Sequence, residues 1–229
     1  MTAEGQWCLA WAAQKLGPDI PRAALARKAK WQNRIINIAF IDDDADEDLM
    51  DRVKAAAKGW TGPDAARLTF VFVNDVRKAQ IRISFNERGS WSVLGNTALE
   101  VPKEKPTMNF GWLTPNSSDE QLRSVVLHEF GHAIGLIHEH QNPGGVIPWN
   151  KPQVYRDLAG PPNLWDPPKV DRNIFAVYDK ELTNHTEVDD KSIMMYPIAA
   201  NWVTEPGFAR DLNLELSLLD RQFIQEQYR

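Results

Sequence analysis

The chain has 229 residues, of which 43% are hydrophobic and 25% charged, and its net charge is -5. This composition is typical of a globular protein with a sizeable core, and the negative charge argues against nucleic acid or an anionic membrane as a partner. No apolar run reaches the roughly 20 residues that span a bilayer, and a single cysteine, Cys8, excludes an internal disulfide.

The first hundred residues alternate between strand and helix patterns. The N-terminal segment has neither a basic flank nor a long apolar stretch, so no signal peptide is evident. β-Branched and apolar residues predict a strand over Arg34–Ile41, and helical spacing of apolar residues predicts a helix over Leu49–Trp60. Further strands are predicted over Leu68–Val73, Gln80–Phe85, Gly89–Gly95 (a short strand or rim) and Thr107–Leu113. Apolar and polar residues alternate cleanly over Gln80–Phe85.

The second half of the chain contains one long helix and then an irregular region. Ser117 and Ser118 precede acidic and amide residues as in a capping box, so a buried helix is predicted to begin near Asp119. Gln141–Pro168 carries seven prolines and is predicted as loops with short helices.

Two more helices are predicted after the irregular region. One would cover Val170–Glu181. The other, Ser217–Tyr228, would close the chain with four apolar side chains inward, namely Leu218, Leu219, Phe223 and Ile224. The order of elements predicts an α+β fold with two lobes that divide just after His138.

Four of the five histidines lie in one stretch, VVLHEFGHAIGLIHEH, which begins at Val125. His128 and His132 are four residues apart, so one helix face presents both, and two imidazoles at this spacing can hold one zinc ion. Glu129 lies beside the first ligand, where its carboxylate can reach a water on the metal. H-E-x-x-H is the zinc-peptidase helix pattern, and two surface histidines beside an acid are the alternative.

A third histidine extends the pattern. His138 follows His132 by six residues, so the helix must end and the chain must turn back, which Gly135 permits by entering the left-handed conformation. Three protein ligands leave one position open for water, as in catalytic zinc sites. Zinc lowers the pKa of that water to about 7, and Glu129 would accept its proton as it attacks a carbonyl.

The run HEFGHAIGLIH resembles the long zinc motif of the metzincin metallopeptidases. The resemblance implies a zincin catalytic domain over about 31–229, with an upper lobe over about 31–138, a lower lobe over about 139–229 and an N-terminal extension over 1–30. It also implies a Zn²⁺-dependent endopeptidase that acts on peptides or proteins. We expect a monomer that is secreted or exported, with no nucleic acid or membrane as a partner.

Metzincins also carry a methionine turn below the metal, for which Ser192-Ile193-Met194-Met195-Tyr196-Pro197 is the candidate. The astacin pattern S-x-M-x-Y would make Met194 the turn methionine and Tyr196 a residue that reaches zinc. The matrix metalloprotease pattern M-Y-P would use Met195 and no tyrosine. Glu139 and the closing LS..D segment favour the astacin register, so a bacterial astacin-like enzyme is the first choice and a matrixin-like enzyme the second.

Some assignments stay open. By the same resemblance, Cys8 or Asp19 could block zinc in a latent form, although Cys8 also fits a buried position in a short helix. His140 and His185 are interpreted as bystanders. The rim at Gly89–Gly95 would offer an edge strand to an extended peptide. The alternatives to a general endopeptidase are a narrow-specificity, toxin-like effector protease and a non-catalytic zinc-binding module, and an intact Glu129 argues against the latter.

Overall fold

The computed structural model describes residues 9–10, 29–161, 163–177 and 187–229. In these ranges six strands form one sheet in the order β1-β5-β6-β4-β2-β3. The strands are β1 Leu9–Ala10, β2 Ile35–Phe40, β3 Thr69–Phe72, β4 Ile81–Ser84, β5 Ser90–Ser92 and β6 Met108–Phe110. Each of the five strands β2 to β6 lies within a segment predicted as a strand, and the α+β class is confirmed.

The sheet is mixed. β2 pairs in parallel with both β3 and β4, and β4 pairs in parallel with β6. β5 runs antiparallel to β6, and β1 pairs in parallel with β5, with Leu9 opposite Trp91. β1 therefore pairs with the outer edge of β5. This strand lies in the rim, Gly89–Gly95, that is predicted to pair with an extended peptide.

Five α-helices lie in the described ranges, together with short 3₁₀ segments and one π-helical turn. They are α1 Glu47–Ala57, α2 Asp119–Ala133, α3 Lys151–Ala159, α4 Pro167–Val170 and α5 Leu218–Gln227. Ser118 caps α2 by accepting a hydrogen bond from the backbone N–H of Gln121. Of the two serines that could cap the helix, Ser117 and Ser118, it is therefore the second that does so. None of the described helices is both long and apolar enough to cross a membrane.

The upper core fixes α2 against the sheet and the chain terminus. The Trp60 ring nitrogen donates to the Leu127 carbonyl at 2.7 Å, and the Trp31 ring nitrogen donates to the Ala133 carbonyl at 2.7 Å. The Tyr228 hydroxyl donates to the Ile134 carbonyl at 2.8 Å. These three buried bonds hold the half of α2 that carries the histidines. Two of them satisfy carbonyls at its end, those of Ala133 and Ile134, where no further helical turn supplies an N–H.

The predicted alternation along β4 does not correspond to one buried and one exposed face, since all four of its residues are buried. Arg82 is fully buried, and its guanidinium donates to the carbonyls of Lys105, Val101 and Pro102 at 2.7 to 3.2 Å. Ser84 donates to the carboxylate of Asp42 at 3.0 Å. The polar face of the strand is thus covered by the 101–105 loop and by Asp42, and local hydrogen bonds offset the cost of burying it.

The inward face of the closing helix differs from the prediction. Leu218 is 70% exposed and Leu219 is 40% exposed, whereas Asp220, Ile224 and Tyr228 are buried. Phe223 is partly buried and packs against the upper core. The cause is the capping box between Ser217 and Asp220, which turns the acidic residue of the first helical turn towards the protein and leaves both leucines outside.

The helix predicted over Val170–Glu181 begins earlier and is not regular. It corresponds to α4 followed by the π-helical turn Asp171–Phe175. Asp166 caps α4, and two prolines open it, because proline is tolerated in a first turn where its missing N–H has no partner to lose. Residues 178–181 lie outside the described ranges.

A second apolar cluster lies within the segment predicted as the lower lobe and is called the lower core here. Its buried members include Val154, Leu158, Trp165, Met195 and Tyr196, whereas Met194 belongs to the upper core. The chain therefore passes from one core to the other between two consecutive methionines. The histidines lie at this junction.

Candidate metal centre

The last two turns of α2 place His128 and His132 side by side. Their ring centroids are 4.9 Å apart and the rings are perpendicular. His132 is buried, and His128 is partly exposed. This is the arrangement that a spacing of four residues dictates on one helix face.

The turn after α2 brings the third imidazole to the same point. Gly135 has φ +102°, a left-handed conformation that glycine adopts without a Cβ penalty. The Leu136 N–H then donates to the Gly131 carbonyl at 2.9 Å. Nε2 of His132 and Nε2 of His138 come to 3.0 Å from each other, and each of the three histidines offers one nitrogen within 4.8 Å of the others.

Backbone carbonyls fix the tautomers of the two helix histidines. Nδ1 of His128 lies 2.8 Å from the Ile193 carbonyl, and Nδ1 of His132 lies 2.8 Å from the Leu136 carbonyl. A carbonyl only accepts, so each Nδ1 carries the proton and each Nε2 presents a lone pair. Nε2 of His128 is buried with no hydrogen-bond partner. Backbone carbonyls that accept from Nδ1–H in this way are common outer-shell partners of histidines that bind a metal through Nε2.

Burial keeps these imidazoles neutral. It lowers the pKa of His128 to about 4, and the Ile193 carbonyl only partly opposes this effect. Burial also lowers the pKa of His132 and of His138 well below the ordinary histidine value, and the neighbouring histidines lower both further. At neutral pH all three rings are therefore uncharged, which is the form that binds a metal.

The cluster fits a zinc ion. Two nitrogen ligands at the usual Zn–N distance of about 2.0–2.1 Å lie about 3.3 Å apart in a tetrahedron, close to the observed separation of 3.0 Å between His132 and His138. Neutral imidazoles suit zinc better than calcium or magnesium, which prefer oxygen ligands. A zinc ion would satisfy Nε2 of His128, which is buried and has no hydrogen-bond partner in the described part of the protein.

The turn at Ser192–Met195 lies below the cluster. The Met195 N–H donates to the Ser192 carbonyl at 3.0 Å and closes the turn. A Cβ placed on Gly131 would lie 2.3 Å from Sδ of Met194, so Met194 packs against the helix backbone between His128 and His132. Met195 instead points into the lower core.

Tyr196 belongs to the lower core and lies against the histidines. It is buried, and its ring centroid is 4.2 Å from that of His138 and 6.0 Å from that of His128. Glu129 is 1% exposed and follows the first histidine on α2. The structure thus brings together the three predicted ligands, the turn and the tyrosine, and Glu129 adjoins the first ligand in the chain.

Solved structures of similar sequence exist for this fold. One structure of myroilysin has 40% sequence identity and a TM-score of 0.83, and the match covers 89% of this chain and 97% of that one. A second myroilysin structure has 36% identity and a TM-score of 0.66, with 91% and 96% covered. A hatching enzyme zinc-protease from Oryzias latipes has 16% identity and a TM-score of 0.59, with 86% and 92% covered, which is evidence for the fold alone.

The chain belongs to the astacin-like metzincins. These are zinc metallopeptidases, so the protein is a hydrolase with zinc as its cofactor. Serralysin B from Dickeya chrysanthemi is 30% identical over 120 residues, which are 47% of this chain and 24% of that protein. The chain thus spans about a quarter of the length of that relative. No family model matches the sequence.

Asp220 is the acidic residue of the closing LS..D segment, but the sequence pattern did not predict its contacts with the Ser192 turn. Its carboxylate accepts from the Ser192 hydroxyl at 2.6 Å and from the Ile193 N–H at 2.8 Å. The Ser192 hydroxyl in turn accepts from the Met194 N–H at 3.0 Å. Burial raises the pKa of Asp220, and these hydrogen bonds oppose the rise. The Ser217-x-x-Asp220 spacing was the available signal, but it indicates a helix cap rather than support for a turn.

The neighbours of the third histidine have structural partners. Nε2 of His140 donates to the Asn173 carbonyl at 2.9 Å, and the ring stacks on Tyr196 with centroids 4.5 Å apart. Glu139 accepts from Nδ2 of Asn142 at 2.7 Å and from the Asp189 N–H at 2.9 Å. Burial raises the pKa of Glu139 to about 7. Cys8, Asp19 and His185 lie outside the described residues.

The contact between Gly131 and Met194 makes a direct prediction for the astacin-like turn. Gly131→Ala should lower the melting temperature by several degrees and reduce zinc occupancy, because the new methyl group needs the space of the Met194 sulfur. The double variant with Met194→Ala should destabilise less than the sum of the two single changes, as expected for residues in contact. Thermal unfolding and metal content of the four proteins measure this coupling, and simple additivity would contradict the packing.

Proposed function

We propose that the chain is a zinc-dependent endopeptidase in which His128, His132 and His138 hold the ion, Glu129 is the general base and Tyr196 stabilises the oxyanion. The observation that carries the proposal is the convergence of three neutral imidazoles, two of which, His128 and His138, have a buried nitrogen without a hydrogen-bond partner. Zinc, when bound, polarises a carbonyl and lowers the pKa of a water.

The protein residues would divide the remaining chemistry. Glu129 would accept the proton of the attacking water and pass it to the leaving amine, as general bases in peptidases do. Met194 would act as the turn methionine, since it packs on the helix that holds two ligands. Tyr196 would donate a hydrogen bond to the developing oxyanion, a role that its position beside His138, with ring centroids 4.2 Å apart, supports.

Substrate would bind by strand addition at β5, where backbone hydrogen bonds favour no particular side chain. β1 takes this edge in the structure, so a substrate strand at the same edge would replace Leu9–Ala10. This mode supports a general endopeptidase over a narrow effector, and the buried carboxylate of Glu129 argues against a non-catalytic module. We also propose that the protein is exported from the cell, as the family resemblance implies.

The proposal is tested by incubating the purified protein with an unfolded general protein substrate and mapping the fragments by mass spectrometry. An endopeptidase releases internal fragments with new ends at many positions. Release of single terminal residues would refute the endopeptidase assignment, and cleavage of no general substrate would refute a general endopeptidase in favour of one of the two alternatives.

Tyr196→Phe should lower kcat by about 10- to 1,000-fold with little change in KM, because an oxyanion contact is stronger in the transition state than in the bound substrate. A purely structural tyrosine predicts the opposite pattern, namely a lower melting temperature and nearly intact kcat. Measuring kcat, KM and the melting temperature of this variant separates the two. Full kcat would favour the register with Met195 as the turn methionine.

A further inference from the structure

The ring of Tyr196 contacts two histidines, His138 of the metal cluster and His140. Its centroid is 4.2 Å from that of His138, with the ring planes 52° apart. It is 4.5 Å from that of His140, with the planes 25° apart. Tyr196 is 4% exposed and His140 is 5% exposed, so each ring limits the orientations open to the other. His140 provides the nearly parallel surface on which the tyrosine ring stacks.

The ring of His140 is itself held by two further contacts. Its Nε2 donates to the Asn173 carbonyl at 2.9 Å, and Trp149 packs edge-on against it with centroids 6.2 Å apart. Trp149 in turn packs edge-on against Phe175 at 5.8 Å. Asn173 and Phe175 both belong to the π-helical turn Asp171–Phe175. This turn therefore supports the histidine through one hydrogen bond and through a chain of aromatic contacts.

The π-helical geometry explains why carbonyls are available there. The Ala176 N–H donates to the Asp171 carbonyl, five residues back, at 2.8 Å, whereas in an α-helix it would donate to Arg172. The backbone at Ala176 is extended, which ends the helix before a bond to Asn173 forms. The carbonyls of Arg172 and Asn173 instead accept from side chains of the 3₁₀ turn Glu139–Gln141, both at 2.9 Å. Single π turns of this kind are frequent at functional sites.

The orientation of the tyrosine ring matters because the hydroxyl moves with it. A donor in an oxyanion site must lie within about 2.7–3.1 Å of the place where the charge develops, and a displacement of about 1 Å can cost on the order of 100-fold in rate. The bond from the Met195 N–H to the Ser192 carbonyl fixes the backbone just before Tyr196. The orientation of the ring then depends on the groups that pack against it.

We propose that His140 is a positioning residue for Tyr196, whose ring it holds in the orientation that presents the hydroxyl to the oxyanion, and that the π-helical turn is the support that fixes His140. The inference rests on the proposed role of Tyr196 in the peptidase. It goes beyond that role because it assigns a task to a histidine outside the metal cluster and to the turn behind it.

The first test separates the ring of His140 from its hydrogen bond. His140→Gln can keep a donor for the Asn173 carbonyl but removes the ring. His140→Phe keeps a ring and loses only that donor, since Nδ1 of His140 is buried with no hydrogen-bond partner in the described part of the chain. In zinc-loaded protein, His140→Gln should lower kcat by about tenfold with KM within about twofold. His140→Phe should restore kcat to within about threefold of the wild type.

The control for loss of a stacked ring is Phe40→Leu. The Phe40 ring stacks on Phe72 and Phe85 beside the upper core, so its loss should lower the melting temperature and leave kcat within about twofold. If His140 were merely structural, His140→Gln would behave in the same way. A lower melting temperature with kcat unchanged in His140→Gln would therefore overturn the inference.

The second test asks whether His140 acts through Tyr196. In the Tyr196→Phe background no hydroxyl remains to be positioned, so adding His140→Gln should change kcat by less than about twofold. For the same reason, His140→Gln alone should cost no more than Tyr196→Phe alone. If the losses of the two single variants multiplied, His140 would act by another route, such as its contact with His138, and the inference would be overturned.

A third test does not depend on turnover. The chain has four tyrosines, and with ring-labelled tyrosine the NMR signals of Tyr196 are those that disappear in Tyr196→Phe. In the wild type and in His140→Phe, the two edges of the ring should give separate signals, because a held ring flips slowly. In His140→Gln they should average to one.

The NMR result separates this inference from the proposed function. Identical flipping of the Tyr196 ring in the wild type and in His140→Gln would overturn the inference even if kcat fell. If Tyr196→Phe kept full kcat, the proposed oxyanion role would fail, whereas a ring that flips faster without His140 would still support the positioning.

Discussion

Removing the metal should abolish hydrolysis, and adding one equivalent of zinc should restore it. The three imidazoles provide the strongest metal-binding geometry in the described part of the chain, and without an ion they leave a buried nitrogen of His128 unsatisfied. The purified protein should contain one zinc per chain. Full activity in metal-free protein would refute the zinc-peptidase mechanism.

The same experiment has a readout in stability. A ligand that binds only the folded state, at about 1,000 times its Kd, adds about 4 kcal/mol to the free energy of unfolding. For a domain of this size, this should raise the melting temperature by on the order of 10 °C. Thermal unfolding with chelator and with added zinc measures the difference independently of activity.

A matched pair of histidine variants assigns the ligands. His132→Ala should lose zinc and activity, whereas His140→Ala should keep one zinc per chain, because Nε2 of His140 is used by the Asn173 carbonyl. Both rings are buried, so both changes leave a cavity of similar size. If His140→Ala lost the metal and His132→Ala kept it, His140 rather than His132 would be assigned as a zinc ligand.

The ligand set is predictable because it depends on local geometry. A spacing of four residues places His128 and His132 on one helix face whatever the rest of the chain does, and Gly135 indicates the turn that returns His138. The strands are predictable for a similar reason, since β-branched runs such as that in β2 disfavour helix and pack well in a sheet.

Contacts between distant segments explain what the sequence left undetermined. Helical spacing predicts Leu218 and Leu219 as core residues. In the structure Asp220 faces inward instead, because it accepts hydrogen bonds from the Ser192 turn. The alternating pattern of β4 predicts that Arg82 is exposed. In the structure the 101–105 loop covers it, and carbonyls of that loop accept hydrogen bonds from its guanidinium. Both partners are more than 15 residues away in sequence, so local periodicity carries no information about them.

Which methionine faces α2, Met194 or Met195, also depends on a contact between segments that are distant in sequence. Sequence patterns allowed both registers, and they differ in which side chain faces α2. The Met194 sulfur takes the space that a side chain at Gly131 would need, whereas Met195 packs in the lower core. A glycine at position 131 on the helix is thus the complement of the methionine, although neither residue predicts the other on its own.

Glu129→Gln should lower kcat by about 10²- to 10⁴-fold, the usual range for losing a general base. The amide has the size of the carboxyl group, which matters because Glu129 is 1% exposed in a packed environment. It cannot accept a proton from the attacking water. The three histidines are unchanged, so zinc content should stay at one per chain and the melting temperature should stay within a few degrees.

Glu120→Gln is the control, since it makes the same change in the exposed first turn of α2. There the substitution removes only a favourable interaction with the helix dipole, worth about 0.3–1 kcal/mol of stability, so kcat should stay within about twofold. Steady-state kinetics on one peptide, with metal analysis of each protein, gives the comparison. If Glu129→Gln retained near-normal turnover with zinc bound, another group would have to take the proton. If it lost zinc, the fall in kcat would report on metal binding, and Glu129 would be assigned to holding the site rather than to proton transfer.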